Sequence, residues 1–311
     1  MSLPIFLFHR VSPVKDNWGI AMDPELFEKT IRYLTNHFSI QTVENYFQQE
    51  HGREKGALPD ACVTFDDGFK DNIEYAAPIL KKYNCPASFY IVTDSIDKNI
   101  PTWVDIYKHF FEKTCISHLK IESSHFTGKQ IEIQFTSNRE RNEYGKALFE
   151  KIKKLPNSSL MSILDQIQES FYDVELPEKP MLSWEDVNQL KNDGFNIGSH
   201  TKTHPFLSSL ANDKAILSEF SESGERIRQM TGHFPYTISY PAGDFDNCVI
   251  KLARQAGYQL GLKVTQERYK PFQDDIMQIP RIDLYADAGW TKTYLRINGA
   301  LQKIKELIPD N

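Results

Sequence analysis

The feature that most constrains the fold is an alternation of short apolar segments with amphipathic segments of helical period along most of the chain. The apolar segments are rich in β-branched and aromatic side chains, which is typical of strands buried in a parallel sheet. Consecutive parallel strands are joined by right-handed crossovers, so the alternation predicts a parallel sheet or barrel. Seven strands are predicted, at Leu3–Phe8, Ala61–Phe65, Ala87–Val92, Phe195–Gly198, Thr237–Tyr240, Tyr258–Val264 and Met277–Ile279. This number favours a closed or nearly closed barrel over an open sheet.

One segment, from about Asp97 to Pro180, interrupts the alternation. It is more polar than the rest of the chain and carries three patterns of helical period, with a hairpin predicted near 131–135. The helical patterns cover 103–113, 139–154 and 158–171. We therefore predict one domain over residues 1–311 with a mainly helical insertion at about 97–180. Because insertions between barrel strands often shape the substrate cleft, this one is expected to influence specificity.

Composition excludes several classes of function. With 36 basic and 42 acidic residues the 311-residue chain carries a formal net charge of −6, which argues against nucleic-acid or anionic-membrane partners. No apolar run approaches the ~20 residues of a membrane-spanning helix, and no secretory signal is recognisable, so we expect a cytoplasmic protein. The four cysteines are isolated, which predicts neither a disulfide framework nor a thiolate zinc site.

Two adjacent carboxylates follow the second predicted strand, in Thr64-Phe65-Asp66-Asp67-Gly68. Like charges held close together raise each other's pKa and cost free energy unless a cation or a functional role offsets the repulsion. An Asp-Gly turn that starts the next helix near Asp71 explains the same residues. Taken alone, the pair supports a functional site and a simple turn about equally.

Two histidines four residues apart follow the fourth predicted strand, in Gly198-Ser199-His200-Thr201-Lys202-Thr203-His204-Pro205. Because a strand precedes them and a proline follows, they are expected on a loop or a single turn. Two neutral imidazoles and a nearby carboxylate make a three-ligand zinc site with a fourth position open for water. A lone pair of histidines is more often solvated without a function, but this spacing at a strand end favours a metal site.

Three further candidates lie at the ends of other predicted strands. Tyr240-Pro241-Ala242-Gly243 forms a turn that would aim a backbone N–H at an oxyanion, although by itself it is better explained as a tight βα loop. Arg281 comes just past the last predicted strand, and His9 ends the first. In an α/β barrel the carboxyl ends of all strands open on one face, where active sites are built. Five polar clusters at corresponding positions predict an enzyme with a metal-assisted hydrolytic site.

These clusters resemble the motifs of a known family. Asp66-Asp67-Gly68, His200-x-x-x-His204-Pro205 and Tyr240-Pro241-Ala242-Gly243 are similar to the first three motifs of the polysaccharide deacetylases, the NodB-homology enzymes of carbohydrate esterase family 4. The resemblance leaves the insertion and the C-terminal tail unmatched. It implies an α/β fold, a distorted (β/α)7 barrel, and one divalent metal ion, usually zinc, with cobalt and nickel as alternatives.

The resemblance also implies the chemical roles of the first two motifs. Asp67, His200 and His204 would hold the metal ion, and Asp66 would be the general base that takes a proton from the attacking water. The physical logic agrees, because a divalent cation makes water more acidic and a neighbouring carboxylate completes the deprotonation.

In the third motif, the resemblance implies that the backbone N–H of Ala242 stabilises the oxyanion. Tyr240, Pro241 and Gly243 of the same motif are expected to contact the substrate. Arg281 resembles the buried arginine of the family that pairs with the catalytic aspartate, and it would hold Asp66 ionised and oriented.

Two departures from the family pattern concern the third motif and the general acid. Ser239 stands where many relatives have an arginine, and no histidine follows His233 to form the usual C-terminal Leu-x-His motif. In the poly-N-acetylglucosamine deacetylase branch the equivalent histidine lies on the first strand, and Phe8-His9-Arg10-Val11-Ser12 is similar to that signature. We therefore expect His9 to protonate the leaving group. A histidine that merely caps the first strand is the alternative.

Together these features predict a metal-dependent hydrolase that removes acetyl groups from a carbohydrate, foremost N-acetyl groups from an amino sugar. The mild negative charge is compatible with an uncharged acetylated sugar as the partner. The alternatives are an O-acetyl esterase, a deformylase or amidase acting on a non-polymeric substrate, and a non-catalytic carbohydrate-binding barrel. Intact Asp66, His9 and Arg281 argue against the last alternative, because a binding protein needs neither a base nor an acid.

Overall fold

A computed structural model describes residues 2–14, 20–49, 57–177, 180–284 and 289–300 of the chain. Its strands are β1 (Ile5–Phe8), β2 (Arg10–Val11), β3 (Ala21–Met22), β4 (Ser39–Gln41), β5 (Asp60–Phe65), β6 (Ser88–Ile91), β7 (His118–Glu122), β8 (Gln130–Gln134), β9 (Asn196–Ser199), β10 (Thr237–Ser239), β11 (Leu260–Val264) and β12 (Ile279–Asp283). Its helices are α1 (Pro24–His37), α2 (Val43–Gln48), α3 (Ala77–Lys82), α4 (Thr93–Lys98), α5 (Trp103–Lys113), α6 (Asn138–Ile152), α7 (Asn157–Ser170), α8 (Trp184–Asn192), α9 (Asp213–Thr231), α10 (Asn247–Ala256) and α11 (Gly289–Ile297).

Seven parallel strands close into a barrel in the order β1, β12, β11, β10, β9, β6 and β5. The closure is made by β1, which pairs with β12 on one side and with β5 on the other, so that Phe8 lies beside Phe65 and Leu7 beside Asp283. An eighth parallel strand, β4, pairs with the start of β5. The predicted (β/α)7 barrel is confirmed, and its strands are buried because helices cover the outer face.

The last barrel strand differs from the prediction. It runs over Ile279–Asp283 instead of Met277–Ile279, so that Arg281 lies within the strand, beside Val264 of β11, and not just past its end. Pro280, Arg281 and Asp283 interrupt the apolar run that usually marks a buried strand, so the sequence pattern did not predict the whole strand. In the structure Arg281 and Asp283 are buried together with Ile279 and Ile282.

Local sequence signals explain where several helices begin and end. Asp23 accepts hydrogen bonds from the first turn of α1, which has proline in its first position. Ser183 and Asp186 form a reciprocal capping box at the start of α8. Gly232 and Gly257 end α9 and α10 in the left-handed conformation that glycine adopts without steric cost.

The segment that interrupts the alternation folds around a hydrophobic core of its own. Helices α5, α6 and α7 and the antiparallel pair of β7 and β8 supply this core, as the predicted helices and hairpin require. We refer to residues 103–171 as the helical insert. That it is an insertion in a single domain with bounds near 97 and 180 stays a prediction.

Within the described residues, none of the helices combines the length and the apolar character needed to cross a membrane. Cys62, Cys85, Cys115 and Cys248 all carry free thiols, in agreement with their isolated positions in the sequence. Burial raises the pKa of the Cys85 thiol to about 12, so this side chain behaves as a small apolar group in the core.

Candidate active site

A cleft of about 940 Å³ opens at the carboxyl ends of the barrel strands. Its floor contains Asp66 and Asp67 after β5, and His200 and His204 after β9. Ala242, in the turn after β10, and His9, directly after β1, also line it. Residues from four of the five strand-end clusters are therefore brought to one cavity, as the closed barrel requires, whereas Arg281 is fully buried and contacts Asp66 from the core.

Three of these side chains form a compact donor set. One ligand atom each from Asp67, His200 and His204 lies within 4.8 Å of the other two, and all three residues are buried. The Asp67 Oδ1 atom is 3.5 Å from His200 Nε2 and 3.6 Å from His204 Nε2. These distances exceed direct hydrogen bonds and match the separation of ligands around a shared cation.

Hydrogen bonding and burial prepare the two histidines for a metal ion. His200 donates from Nδ1 to the Ser239 carbonyl at 2.8 Å, which fixes its ring with Nε2 facing Asp67. Burial lowers the pKa of His204 well below its ordinary value, so its imidazole is neutral. Neutral imidazoles and a carboxylate are the donors that zinc prefers.

An unpartnered polar atom supports the same assignment. Asp67 Oδ1, which faces both imidazoles, is buried without a hydrogen-bond partner in the structure. A buried carboxylate oxygen without a partner is costly, and a bound cation would remove this cost. The residues present therefore fit a divalent metal ion.

The backbone around the donor set adopts left-handed conformations that non-glycine residues rarely occupy. Asp67 has φ +73°, Thr201 +68°, His204 +60° and Ala242 +53°. Gly68, with φ +83°, continues the turn after Asp67 at a place where a Cβ would come within 3.2 Å of Ile91 and Ile96. Strain of this kind, of order 1–3 kcal/mol per residue, persists where surrounding contacts impose it and often coincides with functional sites.

Asp66 is held by a buried guanidinium. Arg281, which is 0% exposed, donates from Nη1 to Oδ1 at 2.7 Å and from Nη2 to Oδ2 at 2.6 Å. Ser239 Oγ donates to Asp66 Oδ2 at 3.0 Å and accepts from Arg281 Nη2 at 2.7 Å. Burial alone would raise the pKa of Asp66, but the charge and hydrogen bonds of Arg281, together with the nearby His200 and His9, outweigh burial and hold this pKa well below its usual range. Asp66 is thus an oriented, ionised carboxylate 3.7 Å from His200 Nε2.

The strand end that carries His9 is fixed by the residues after the two aspartates. Asn72 donates from its amide to the His9 carbonyl at 2.9 Å. Arg10 donates from Nε to Asp71 Oδ2 at 2.7 Å, and the Val11 N–H donates to Asp71 Oδ1 at 3.3 Å. The segment after Gly68 therefore serves both as a turn and as a support for His9. Neither the contact of Asn72 nor the pairing of Asp71 with Arg10 was predicted from the sequence.

The third motif divides into a part that faces the cleft and a part that supports it. Ala242 and Gly243 line the cleft. The turn is closed by the Gly243 and Asp244 N–H groups, which donate to the Tyr240 and Pro241 carbonyls and leave the Ala242 N–H outside both bonds. The Tyr240 ring is fully buried, 5.0 Å from the Phe245 ring, so it supports the turn from within the core.

Two contacts to the histidine loop come from residues outside the sequence motifs. Glu219 of α9 accepts from the Lys202 N–H at 2.9 Å, the Thr203 N–H at 2.8 Å and the Thr203 hydroxyl at 2.7 Å. Trp103, at the start of α5, donates from its indole N–H to the His204 carbonyl at 2.8 Å. Both contacts join residues far apart in sequence, so no local sequence pattern predicts them.

Comparisons with known proteins agree with this geometry. The sequence model of the family described as Polysaccharide deacetylase matches residues 55–261. The putative polysaccharide deacetylase YxkH of Bacillus subtilis (strain 168) is 21% identical over 261 residues, which are 84% of this chain and 63% of that protein. The chain thus spans less than two thirds of the length of this relative.

Solved structures share the fold. The Streptococcus pyogenes deacetylase PplD in complex with acetate superposes with a TM-score of 0.61 at 15% identity, over 93% of this chain and 95% of that one. The structure of IcaB from Ammonifex degensii gives a TM-score of 0.60 at 16% identity, over 95% of this chain and 97% of that one. These likenesses establish the barrel and its connections, independently of the site.

Proposed function

The chain belongs to the polysaccharide deacetylase family, and on that premise we propose that it is a metal-dependent hydrolase that removes N-acetyl groups from an amino sugar of a carbohydrate. The observation that carries the proposal is the buried donor set of Asp67, His200 and His204 beside Asp66, whose carboxylate Arg281 holds at 2.6 and 2.7 Å. A site built only for binding has no need of a carboxylate kept ionised at the floor of the cleft.

The metal donors and Asp66 have separate tasks in this proposal. Asp67, His200 and His204 would hold one divalent cation, zinc first and cobalt or nickel as alternatives, which supplies Lewis acidity toward water and the acetyl carbonyl. Asp66 accepts the proton of the attacking water. Arg281 and Ser239 keep the Asp66 carboxylate ionised and fix its orientation.

His9 and Ala242 complete the proposed machinery. His9 protonates the leaving amine from the end of β1, the strand next to β5, and Asn72 holds its backbone in place. The Ala242 N–H, left free by the turn, donates to the developing oxyanion. Gly243 lies against the substrate, whereas Tyr240 and Pro241 act through the shape of the turn.

The test is release of acetate from a panel of N-acetylated and O-acetylated saccharides by metal-loaded protein, with formate and ammonia measured in parallel. Asp66→Asn should lower turnover about a hundredfold or more, because the general base is lost, while the metal content stays at one ion per chain. Asp94→Asn is the matched control, since Asp94 pairs with Lys98 on the surface and should leave turnover unchanged.

Metal binding is tested separately from turnover by equilibrium dialysis with zinc, cobalt or nickel. His200→Ala and His204→Ala should each abolish stoichiometric binding, because a two-ligand site holds a divalent ion weakly. Wild-type protein that binds no divalent ion after reconstitution would contradict the proposal. Formate as the sole product would replace it with a deformylase, and activity restricted to O-acetyl substrates would replace it with an esterase.

A further inference from the structure

One wall of the cleft is basic although the chain as a whole is acidic. The helical insert supplies this wall, which we call the lysine wall. It consists of four lysines and two carboxylates that line the cleft: Lys108, Lys146, Lys153, Lys154, Asp105 and Glu150. The lysine wall thus carries two net positive charges, in a chain whose formal net charge is −6.

Lys108 brings this positive charge close to the metal donors. It lies in the middle of α5 with a side chain that is 18% exposed, and its Nζ is 3.7 Å from Asp105 Oδ1. Asp105 also accepts a shorter hydrogen bond, at 2.6 Å, from the Thr102 hydroxyl. Lys108 lines the same cleft as His200 and His204.

Ordinary helix electrostatics explains only part of the lysine wall. Basic residues in the last turn of a helix are favoured by the helix dipole, which accounts for Lys153 and Lys154 at the end of α6. The helix dipole does not account for Lys108, because Lys108 lies in the middle of α5. It lines the same cleft. Lysines from two helices therefore converge on one cavity.

The floor of the cleft does not neutralise the wall. Three further carboxylates line the cleft. Asp66 is paired with Arg281, and a divalent ion at Asp67 would outweigh the charge of that carboxylate by one unit. Asp244, which accepts from the Ser208 N–H and hydroxyl at 2.7 Å, offsets that one unit, so the charge of the wall remains. Lys153 shares its charge with Glu150 at 2.5 Å, and this pair is already counted in the net charge of the wall. A ligand that enters the cleft beside the insert meets a positive potential, which would retain an anion and repel a cation.

We propose that the substrate is an anionic saccharide, with a phosphate or carboxylate group that lies against the lysine wall while the acetylated sugar lies over the metal donors. This inference rests on the proposed function and names its substrate class. Flexible ammonium groups bind phosphates and carboxylates as point charges without fixed geometry, so they suit a group that a neighbouring sugar carries. The overall negative charge of the chain does not decide substrate charge, because fields beyond about 10 Å are screened at physiological salt.

The experiment compares kcat/KM for three N-acetylated saccharides of similar size with the metal-loaded wild-type protein. One is a neutral N-acetylglucosamine oligomer, one alternates N-acetylglucosamine with a uronic acid, and one carries a sugar phosphate. We expect at least one anionic saccharide to exceed the neutral one. Its advantage should shrink as salt rises from about 20 mM to about 500 mM, because the Debye length falls. The two anionic arms show whether the group is a carboxylate or a phosphate.

Variants then assign the advantage to the lysine wall. Lys108→Gln and Lys154→Gln should each lower the anionic-to-neutral ratio of kcat/KM by about two- to fivefold, the range for one partly exposed charge pair. Lys113→Gln on α5 and Lys151→Gln on α6 are matched controls that should keep the ratio, because both residues are exposed and lie outside the cleft lining. The ratio is insensitive to partial unfolding, which lowers both rates alike.

Failure of this inference differs from failure of the proposed function. A wild-type ratio at or below one, or equal losses in wall and control variants, would overturn the anionic substrate while deacetylation stands. If no saccharide releases acetate, calorimetric binding of the same three saccharides to the Asp66→Asn variant still decides the inference. Binding of an anionic saccharide that weakens with Lys108→Gln supports it, and equal binding of neutral and anionic saccharides contradicts it.

Discussion

The barrel and the helical insert bury their side chains for different purposes. The barrel encloses charged groups at its carboxyl end, among them Asp66, Asp67 and Arg281, on a backbone with several left-handed residues. The helical insert has an almost wholly apolar core of three helices and a hairpin, and apart from the buried Arg141 its charges lie mostly on the surface. The charged groups whose burial costs free energy therefore lie where the strand ends converge. The insert contributes an apolar core and a charged surface.

Each region contains a buried arginine, and the two arginines can be compared directly. Arg281 in the barrel forms a bidentate ion pair with Asp66. Arg141 in the insert is 2% exposed and donates from Nε to the Phe111 carbonyl at 2.9 Å and from Nη1 to Asn138 at 3.1 Å. One arginine balances a buried charge, and the other satisfies neutral acceptors, so their removal should have unequal costs.

The largest effect is expected for Arg281→Met. It leaves the Asp66 carboxylate buried without a cation, so the free energy of unfolding should fall by about 3–5 kcal/mol, and acetate release should be lost. Arg141→Met leaves only neutral acceptors unpaired and should cost about 1–3 kcal/mol. Urea unfolding of both variants measures the difference. Equal costs would show that the Asp66 charge is compensated by groups other than Arg281.

A second effect concerns the independence of the two cores. Leu160→Ala, at a buried position of α7, should lower stability by about 2–5 kcal/mol through the cavity it creates. Because the insert has its own core, we expect faster amide hydrogen exchange in α7 and β7 and unchanged protection in β1 and β12.

The matched control for Leu160→Ala is Leu176→Ala, since Leu176 is exposed and its loss should change stability by less than about 0.5 kcal/mol. If Leu160→Ala deprotects the barrel strands to the same extent as the insert, the two regions unfold as one unit and the comparison fails.

The smallest effect is expected at the hydrogen bond between Trp103 of the helical insert and His204 of the barrel. Trp103→Phe keeps an aromatic ring beside Phe149 and Phe206 but removes the N–H that binds the His204 carbonyl. His204 has φ +60°, so loss of this bond should weaken its placement and lower zinc affinity by about two- to tenfold. Competition with a chromogenic chelator measures the affinity, and the visible spectrum of the cobalt-loaded protein reports the coordination geometry.

Trp184→Phe is the control for that experiment, because the Trp184 indole donates to Asp97 at 2.8 Å, away from the donor set. Its zinc affinity and cobalt spectrum should equal those of the wild type. Identical values for Trp103→Phe and Trp184→Phe would show that the insert supports the cleft without acting on the metal site.

Much of the fold was predictable because its signals are local. Asp23-Pro24, the Ser183 capping box and the glycines after α9 and α10 mark helix ends through contacts within a few residues. The last strand escaped prediction because Pro280 and Arg281 lack the apolar pattern of a strand. The ion pair with Asp66 compensates the buried charge of Arg281.

The candidate site was predictable to the extent that its motifs are contiguous. Asp66-Asp67-Gly68 and His200-x-x-x-His204 each lie on one loop, so residue type and spacing point to metal chemistry. Asn72, Glu219 and Trp103 were missed because each acts on a backbone group of a distant segment. Such contacts leave no periodicity or spacing in the sequence.

By itself, the sequence determined the alternation of strands and helices and the residue types at the strand ends, since both depend on neighbours along the chain. The tertiary structure alone decided that Ser239 of β10 joins the pair of Arg281 and Asp66, because closure of the barrel brings three separate strands together. It also placed lysines of the insert on the wall of a cleft in an acidic protein. Net charge adds over the whole chain, whereas a ligand meets only the charges that the fold sets beside it.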